Sequence, residues 1–422
     1  LLVSGPFYHL PESEQPPFSV LMLVIEGLGA EHMERNGYHR APTPFLDRFA
    51  AESVEYPYAY TPTPRAAPAA MTLLTGLPPV RHGYFAGKRG PLPEDASTLA
   101  EQLHEAGYVT AAFTEGDDVA GGDLVHGSGF ERGFELFDDR FPIEATPGAL
   151  PGVPVPRGAS VTLGKAAKWA AEYADRPFFL FVRIRELQNP QRLPRYGEGF
   201  LGRGRTPTPR DIYDTALLNV DKHVGGFVEQ IQNSCGFERL CFVITSTNGF
   251  DFTESGRALW RRGGKPKRTL TEYALRVPLL MRMPGKLARR HNERVSLENV
   301  PATVLDRLGI ATTSTGGMSI FEFGRSEDPV AMMGSPVALA VRTHQWFFVW
   351  QSGRDPFTLE PVAPPRTRTL MNMDRYRRGI AQSNHIARNP NTVAAFEKRL
   401  SGYLERHARG TPPGAGDAVP DS

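Results

Sequence analysis

At 422 residues the chain has room for two or three domains, or for one large α/β domain with an appendage. With 40% hydrophobic and 22% charged residues, it is not a wholly disordered chain, a coiled coil or a collagen-like fibre. Forty-eight basic and 46 acidic residues leave a net charge of +2, so no global field points to nucleic acid or a membrane surface, and any anion site has to be local.

Residues 1–18 read as a proline-containing lead-in. Ser19–Ile25 is a continuous apolar run of strand length, suited to a parallel strand buried on both faces. It stops at Glu26-Gly-Leu-Gly29, a strand-to-helix turn. Residues 43–52 have helical spacing, with Thr43 as cap and Pro44 at the first helical position. Further helix and strand pairs follow at Leu99–Ala106 with Tyr108–Phe113, Gly164–Tyr173 with Pro177–Ile184, and Tyr213–Gln232 with Leu240–Ser246. The strand Val277–Met281 then precedes a helix around Asn299–Leu308. This alternation predicts an α/β fold with a mostly parallel sheet and helices on both faces. Ligands in such sheets sit beyond the carboxyl ends of the strands, which singles out Glu26–Gly29, Thr114–Asp118, Arg185–Gln191 and Thr247–Phe250.

After about residue 330 the pattern changes. Val337–Thr343 and Trp346–Gln351 read as short strands joined by a turn, and Asn391–His407 as an amphipathic helix. The expected division is a main α/β domain over 19–330, a small α+β subdomain over 331–409 and a disordered tail over 410–422. Cys235 and Cys241 make no disulfide framework. No apolar run reaches the roughly 18 residues a membrane-spanning helix needs. The chain begins at Leu1 without methionine, so a preceding signal or anchor, and with it an extracytoplasmic or tethered location, stays open. There is no G-x-S-x-G elbow, P-loop, H-E-x-x-H or paired C-x-x-C.

Several segments, in order, carry a family resemblance: LMLVIEGLGAEHM, APTPFLDRFAAE, PAAMTLLTGLPPVRHG, LPEDASTLAEQLHEAGYVTAAF, PFFLFVRIRELQNP, FVITSTNGF, GGKPKRTLTEYALRVPLLMRMPG, VSLENVPATVLDRLGI and AVRTHQWFFVW. Together they resemble the sulfatase family of the alkaline-phosphatase-like superfamily, over roughly residues 19–350. The resemblance implies a three-layer α/β/α domain with a smaller C-terminal subdomain. It also implies hydrolysis of sulfate esters at a divalent cation, usually calcium, by a formylglycine made from cysteine or serine; phosphatase relatives use threonine or serine directly.

Carried over residue by residue, the resemblance exposes departures. Leu74-Thr75-Gly76 and Pro68 place the nucleophile at Ala66, and the supporting serine and arginine at Ala69 and Ala70. Alanine has no oxygen on its β-carbon and cannot attack. The metal-ligand positions are Glu26, Gly27, Thr247 and Asn248, of which only Glu26 and Asn248 carry suitable oxygens. The substrate-contacting histidine is replaced by Gln188, the lysine and histidine after Phe113 by Glu115 and Asp117, and the late lysine is Lys265 or Lys267. A register slip would make Thr61, Thr63 or Thr72 the nucleophile. Glu26 also reads as a strand-end carboxylate paired with an arginine or capping a helix, and Asn248 as a turn residue before Gly249.

The resulting expectation is a sulfatase-family protein without the catalytic machinery, holding a binding or scaffold role and no cofactor. The alternatives are an active sulfuric or phosphoric ester hydrolase with an unusual site, using Ca2+ or another divalent cation, and a polyanion-binding module. Arg261, Arg262, Lys265 and Arg183 are the anion-binding candidates, with Arg65 and Arg185 near them; the competing reading is a solvated basic loop. The expected partner is a sulfated or phosphorylated ligand or a protein, and not nucleic acid.

Overall fold

The run Ser19–Ile25 forms strand β1, and its side chains alternate between two hydrophobic cores. Leu21, Leu23 and Ile25 face one side of the sheet; Val20, Met22 and Val24 face the other. All are buried, and each full burial of such a side chain contributes about 1.5–3 kcal/mol. The computed structural model describes residues 18–408 apart from 86–91, 94, 116–126, 140–156, 189, 191–198, 201–206, 253–269, 312–316, 322–327, 335–336, 357, 362, 364–367 and 378–383. The expected lead-in up to residue 17 and the tail 410–422 lie outside the described residues.

The further strands of the main sheet are β2 (Val54–Tyr60), β3 (Val109–Thr114), β4 (Leu136–Asp138), β5 (Phe178–Ile184), β6 (Leu240–Thr245), β7 (Arg276–Arg282), β8 (Arg289–Arg290) and β9 (Val295–Ser296). The order is β4-β3-β5-β1-β6-β7-β2-β8, with β9 beside β2. From β4 to β6 the pairs are parallel, whereas β7 runs antiparallel to both β6 and β2. The mostly parallel α/β expectation holds.

Helices cover both faces. On the Leu21 side lie α1 (Pro44–Ala51), α5 (Ala159–Glu172) and α6 (Pro209–Cys235). On the Val20 side lie α2 (Ala66–Thr75), α4 (Leu99–Glu105) and α8 (Val300–Arg307). Two short helices complete this part, α3 (Pro79–His82) and α7 (Glu272–Leu275). At α1, Thr43 occupies the N-cap position but its side chain makes no cap bond. Asp221 of α6 does the capping, accepting from the N–H groups of Phe45 and Leu46 at 2.8 Å each.

A second, antiparallel sheet is built from β10 (Val330–Met333), β11 (Ala338–Arg342), β12 (Trp346–Gln351) and β13 (Arg368–Asn372). The helix Pro390–His407 packs Val393, Leu400 and Leu404 against it. The two sheets meet at a buried ion pair. Arg342 of β11 donates to Glu272 of α7 at 3.0 Å, and the Tyr60 hydroxyl of β2 donates to the other Glu272 oxygen at 2.8 Å.

Candidate functional site

The carboxyl ends of β5, β1 and β6 lie side by side, because β1 pairs with both neighbours in parallel register. This brings together Arg183 and Arg185 at the end of β5, Glu26 after β1, and Ser246, Thr247 and Asn248 after β6. The alternation of a strand sends Arg183 and Arg185 to one face, and Val24, the register partner of Arg183, shares that face with Glu26. The contacts follow from this placement. Arg183 Nε donates to Glu26 Oε1, and Arg185 Nε donates to Glu26 Oε2 at 3.2 Å. Glu26 has no exposed surface and Arg183 has 1%. Of the two readings of Glu26, the arginine-paired strand-end carboxylate is the one these bonds match.

Gly27 follows with φ +86°, a left-handed turn in which a β-carbon would meet Leu187 at 3.2 Å. The turn thus favours glycine where the resemblance puts an aspartate. The Tyr213 hydroxyl donates to the Gly27 carbonyl at 2.7 Å and fixes the turn from α6.

Asn248 is held on all sides. Its Oδ1 accepts from Gln188 Nε2 at 2.7 Å and from the Thr247 hydroxyl at 3.1 Å, and its Nδ2 donates to the Gly249 carbonyl at 3.0 Å. Gly249 is a close-approach position: a β-carbon there would lie 2.0 Å from the Tyr273 carbonyl oxygen. Gln188, at the histidine position of the resemblance, therefore faces Asn248 directly.

A divalent cation is the group that the resemblance implies here. Calcium takes about six to eight oxygen ligands, several of them carboxylates. Both Glu26 oxygens are bonded to guanidinium groups, and both acceptor directions of Asn248 Oδ1 are used by hydrogen bonds. Among the described residues no group of three or more His, Cys, Asp or Glu is arranged to hold a metal. As placed, these side chains do not fit a hard cation.

Ala66 is the first residue of α2, with Arg65 at the cap position and 4% of its own surface exposed. Ala69 and Ala70 lie within the same helix and have no exposed surface. The Thr72 hydroxyl lies 2.8 Å from the Leu77 carbonyl and 3.2 Å from His82 Nε2. His82 Nδ1 accepts from the Tyr84 N–H, so Nε2 carries the proton and faces the Thr72 oxygen. Thr72 is thereby a structural clamp between α2 and α3. Thr61 donates to the Thr63 carbonyl, and the Thr63 oxygen accepts from the Arg65 N–H at 3.4 Å.

Beside the arginines sits a pair of buried acids that the sequence does not single out together. Glu115 accepts from the Arg185 N–H at 2.8 Å, and Glu186 accepts from the Ala159 N–H at the start of α5 at 2.7 Å. Burial, reinforced by the nearby Glu186 charge, pushes the Glu115 carboxyl well above its usual range; burial also raises Glu186. Arg183 Nη1 and Arg65 Nε are buried with no hydrogen-bond partner among the described residues. Asp117, Arg257, Arg261, Arg262, Lys265, Lys267 and Arg268 lie outside the described residues.

Comparison with known proteins agrees with this architecture. A profile of the family described as Sulfatase matches residues 19–310. The chain is 28% identical over 332 residues to arylsulfatase A of Homo sapiens, covering 68% of this chain and 63% of that protein. It is 27% identical over 348 residues to N-acetylgalactosamine-6-sulfatase of Canis lupus familiaris, covering 71% and 64%. It thus spans less than two thirds of the length of these two relatives. Its fold is similar to the crystal structure of Ps i-CgsB, with TM-score 0.71, 19% identity and 94% of each chain covered. It is also similar to phosphonate monoester hydrolase of Agrobacterium radiobacter, with TM-score 0.69, 16% identity, and 92% of this chain and 96% of that one covered. The matched span exceeds half of the chain and includes every strand that frames the Glu26 turn: the chain belongs to the sulfatase family.

Proposed function

We propose that this chain is a sulfatase-family protein that does not turn over sulfuric or phosphoric esters and acts by binding or as a scaffold. The observation that carries the reading is the methyl group of Ala66 at the nucleophile position, at the start of α2. A covalent mechanism needs an oxygen on that β-carbon. Thr72, the hydroxyl next along the helix, is engaged with Leu77 and His82. Ala70 supplies no charge where the resemblance puts an arginine, and losing one such electrostatic contact typically costs roughly 2.7–4 kcal/mol of transition-state stabilisation. The test is a hydrolysis screen of the full chain with aryl sulfates, phosphate monoesters and diesters, and phosphonate monoesters, with and without calcium. The expected rate equals that of a heat-denatured blank. A rate above the blank that disappears in Thr63→Val or Glu26→Gln overturns the reading.

A second reading is favoured by one observation, the buried nitrogens of Arg183 and Arg65 that have no hydrogen-bond partner among the described residues. Guanidinium N–H groups that find no acceptor of their own suit an oxyanion. In this reading the site, with Arg261, Arg262 and Lys265, takes a sulfated or phosphorylated ligand without turnover. Binding to heparin that weakens with salt and is lost in the Arg261→Ala/Arg262→Ala/Lys265→Ala variant supports it; binding unchanged in that variant excludes those three residues.

A further inference from the structure

Glu26 stands at the metal-ligand position of β1, fully buried, and a carboxylate in that setting requires a counter-charge. A divalent cation is one solution. A guanidinium is another, being weakly hydrated and able to fix its charge through directional N–H bonds. Here both Glu26 oxygens take a guanidinium, from Arg183 on the neighbouring strand and from Arg185 just past its end. The second oxygen donor, Asn248 Oδ1, is used by Gln188 and Thr247. Ala70, where the resemblance puts an arginine, packs in the same core as Val24, the register partner of Arg183. The positive charge missing from α2 is thus supplied on the same face of the sheet from β5.

We infer that Arg183 and Arg185 form a resident counter-cation for Glu26, standing in for the divalent ion of the family, so that the site assembles without metal. The inference rests on the reading of Glu26 as the former metal-ligand position, and it is independent of whether the chain turns over a substrate.

The experiment is thermal unfolding of the full chain in EDTA and in millimolar calcium, magnesium or manganese. The expected result is a Tm that does not move between these conditions. Arg183→Met leaves the buried carboxylate with Arg185 alone and is expected to lower Tm by about 5 °C or more. Glu26→Gln/Arg183→Met removes both charges and is expected to recover most of that loss, since the penalty belongs to the pair. If Arg183→Met does not fold, recovery of folding in the double variant gives the same answer. A cation-dependent rise in the wild-type Tm that is abolished by Glu26→Gln overturns the inference, and so does strict additivity of the two substitutions. The proposed function fails separately. Ester turnover with a cation-insensitive Tm refutes the non-catalytic reading and leaves the counter-cation intact, while a cation-dependent Tm without turnover does the reverse.

Discussion

Gln188 Nε2 donates to Asn248 Oδ1 across 2.7 Å and ties the end of β5 to the loop after β6. Both side chains are at least nine-tenths buried, so the bond has little competition from water. Gln188→Leu removes the donor and leaves Asn248 Oδ1 with Thr247 alone. The expected cost is about 1–2 kcal/mol in urea unfolding, with the m-value unchanged.

Thr72 is expected to matter for stability. Thr72→Val takes away the hydroxyl that lies between the Leu77 carbonyl and His82, all of them enclosed. A loss of about 1–3 kcal/mol is expected, read by guanidinium unfolding.

Restoring one hydroxyl is not expected to restore a reaction. Ala66 sits at the first position of α2, where serine is well tolerated, so Ala66→Ser and Ala66→Cys are expected to fold normally. Ester hydrolysis by either is expected to stay at the blank, because Ala70 and the arginine-bonded Glu26 are unchanged. A rate ten or more times the blank, about 1.4 kcal/mol or more of barrier lowering, contradicts the account of the site.

Asp221 gives a pH signature. Burial pushes its carboxyl up to about 6, opposed by the N–H groups of Leu46 and Phe45. The unfolded value is about 3.9, so the folded chain holds the proton more tightly. This contribution is greatest below about pH 4, declines as pH rises toward 6 and is flat above. The full span is of order 3 kcal/mol. Urea midpoints at pH 4.5, 5.5 and 6.5 are expected to fall with pH more steeply in the wild type than in Asp221→Asn.

The strands of the main sheet are legible where hydrophobic runs are uninterrupted, but not their order. Ser19–Ile25, with no break in its apolar sequence, is β1 from end to end. β2 was not legible, because Pro57 interrupts it. In the structure the pairing of β2 with β7 shifts register between Tyr56 and Ala59, around that proline. Val277–Met281 reads as a strand from its apolar run, but its antiparallel direction is a property of the connection before it and of its partners. The helix read from Tyr213 begins at Pro209, where Thr208 and Asp211 form a capping box that hydrophobic spacing does not reveal.

At the site, local sequence named residues but not partners. An arginine for Glu26 was one of two readings; that it is Arg183 together with Arg185 depends on β1 and β5 being neighbours, a relation between segments far apart in the chain. The Gln188–Asn248 bond and the Asp221 cap on α1 are likewise long-range. Capping by Thr43 was the expectation that local chemistry favours, and a carboxylate from α6 displaces it.

The ion pair between Arg342 and Glu272 carries a consequence for how the chain is made. Synthesis runs from the amino terminus, and domains generally fold as they emerge. When residue 330 is added to the growing chain, Glu272 and Tyr60 are already present, yet the guanidinium that neutralises the carboxylate has not been translated. The contact of β2 and α7 around Glu272 therefore waits for β11. A nascent chain arrested before residue 342 is expected to be cut by protease near Glu272, and one released just beyond β12 is expected to resist.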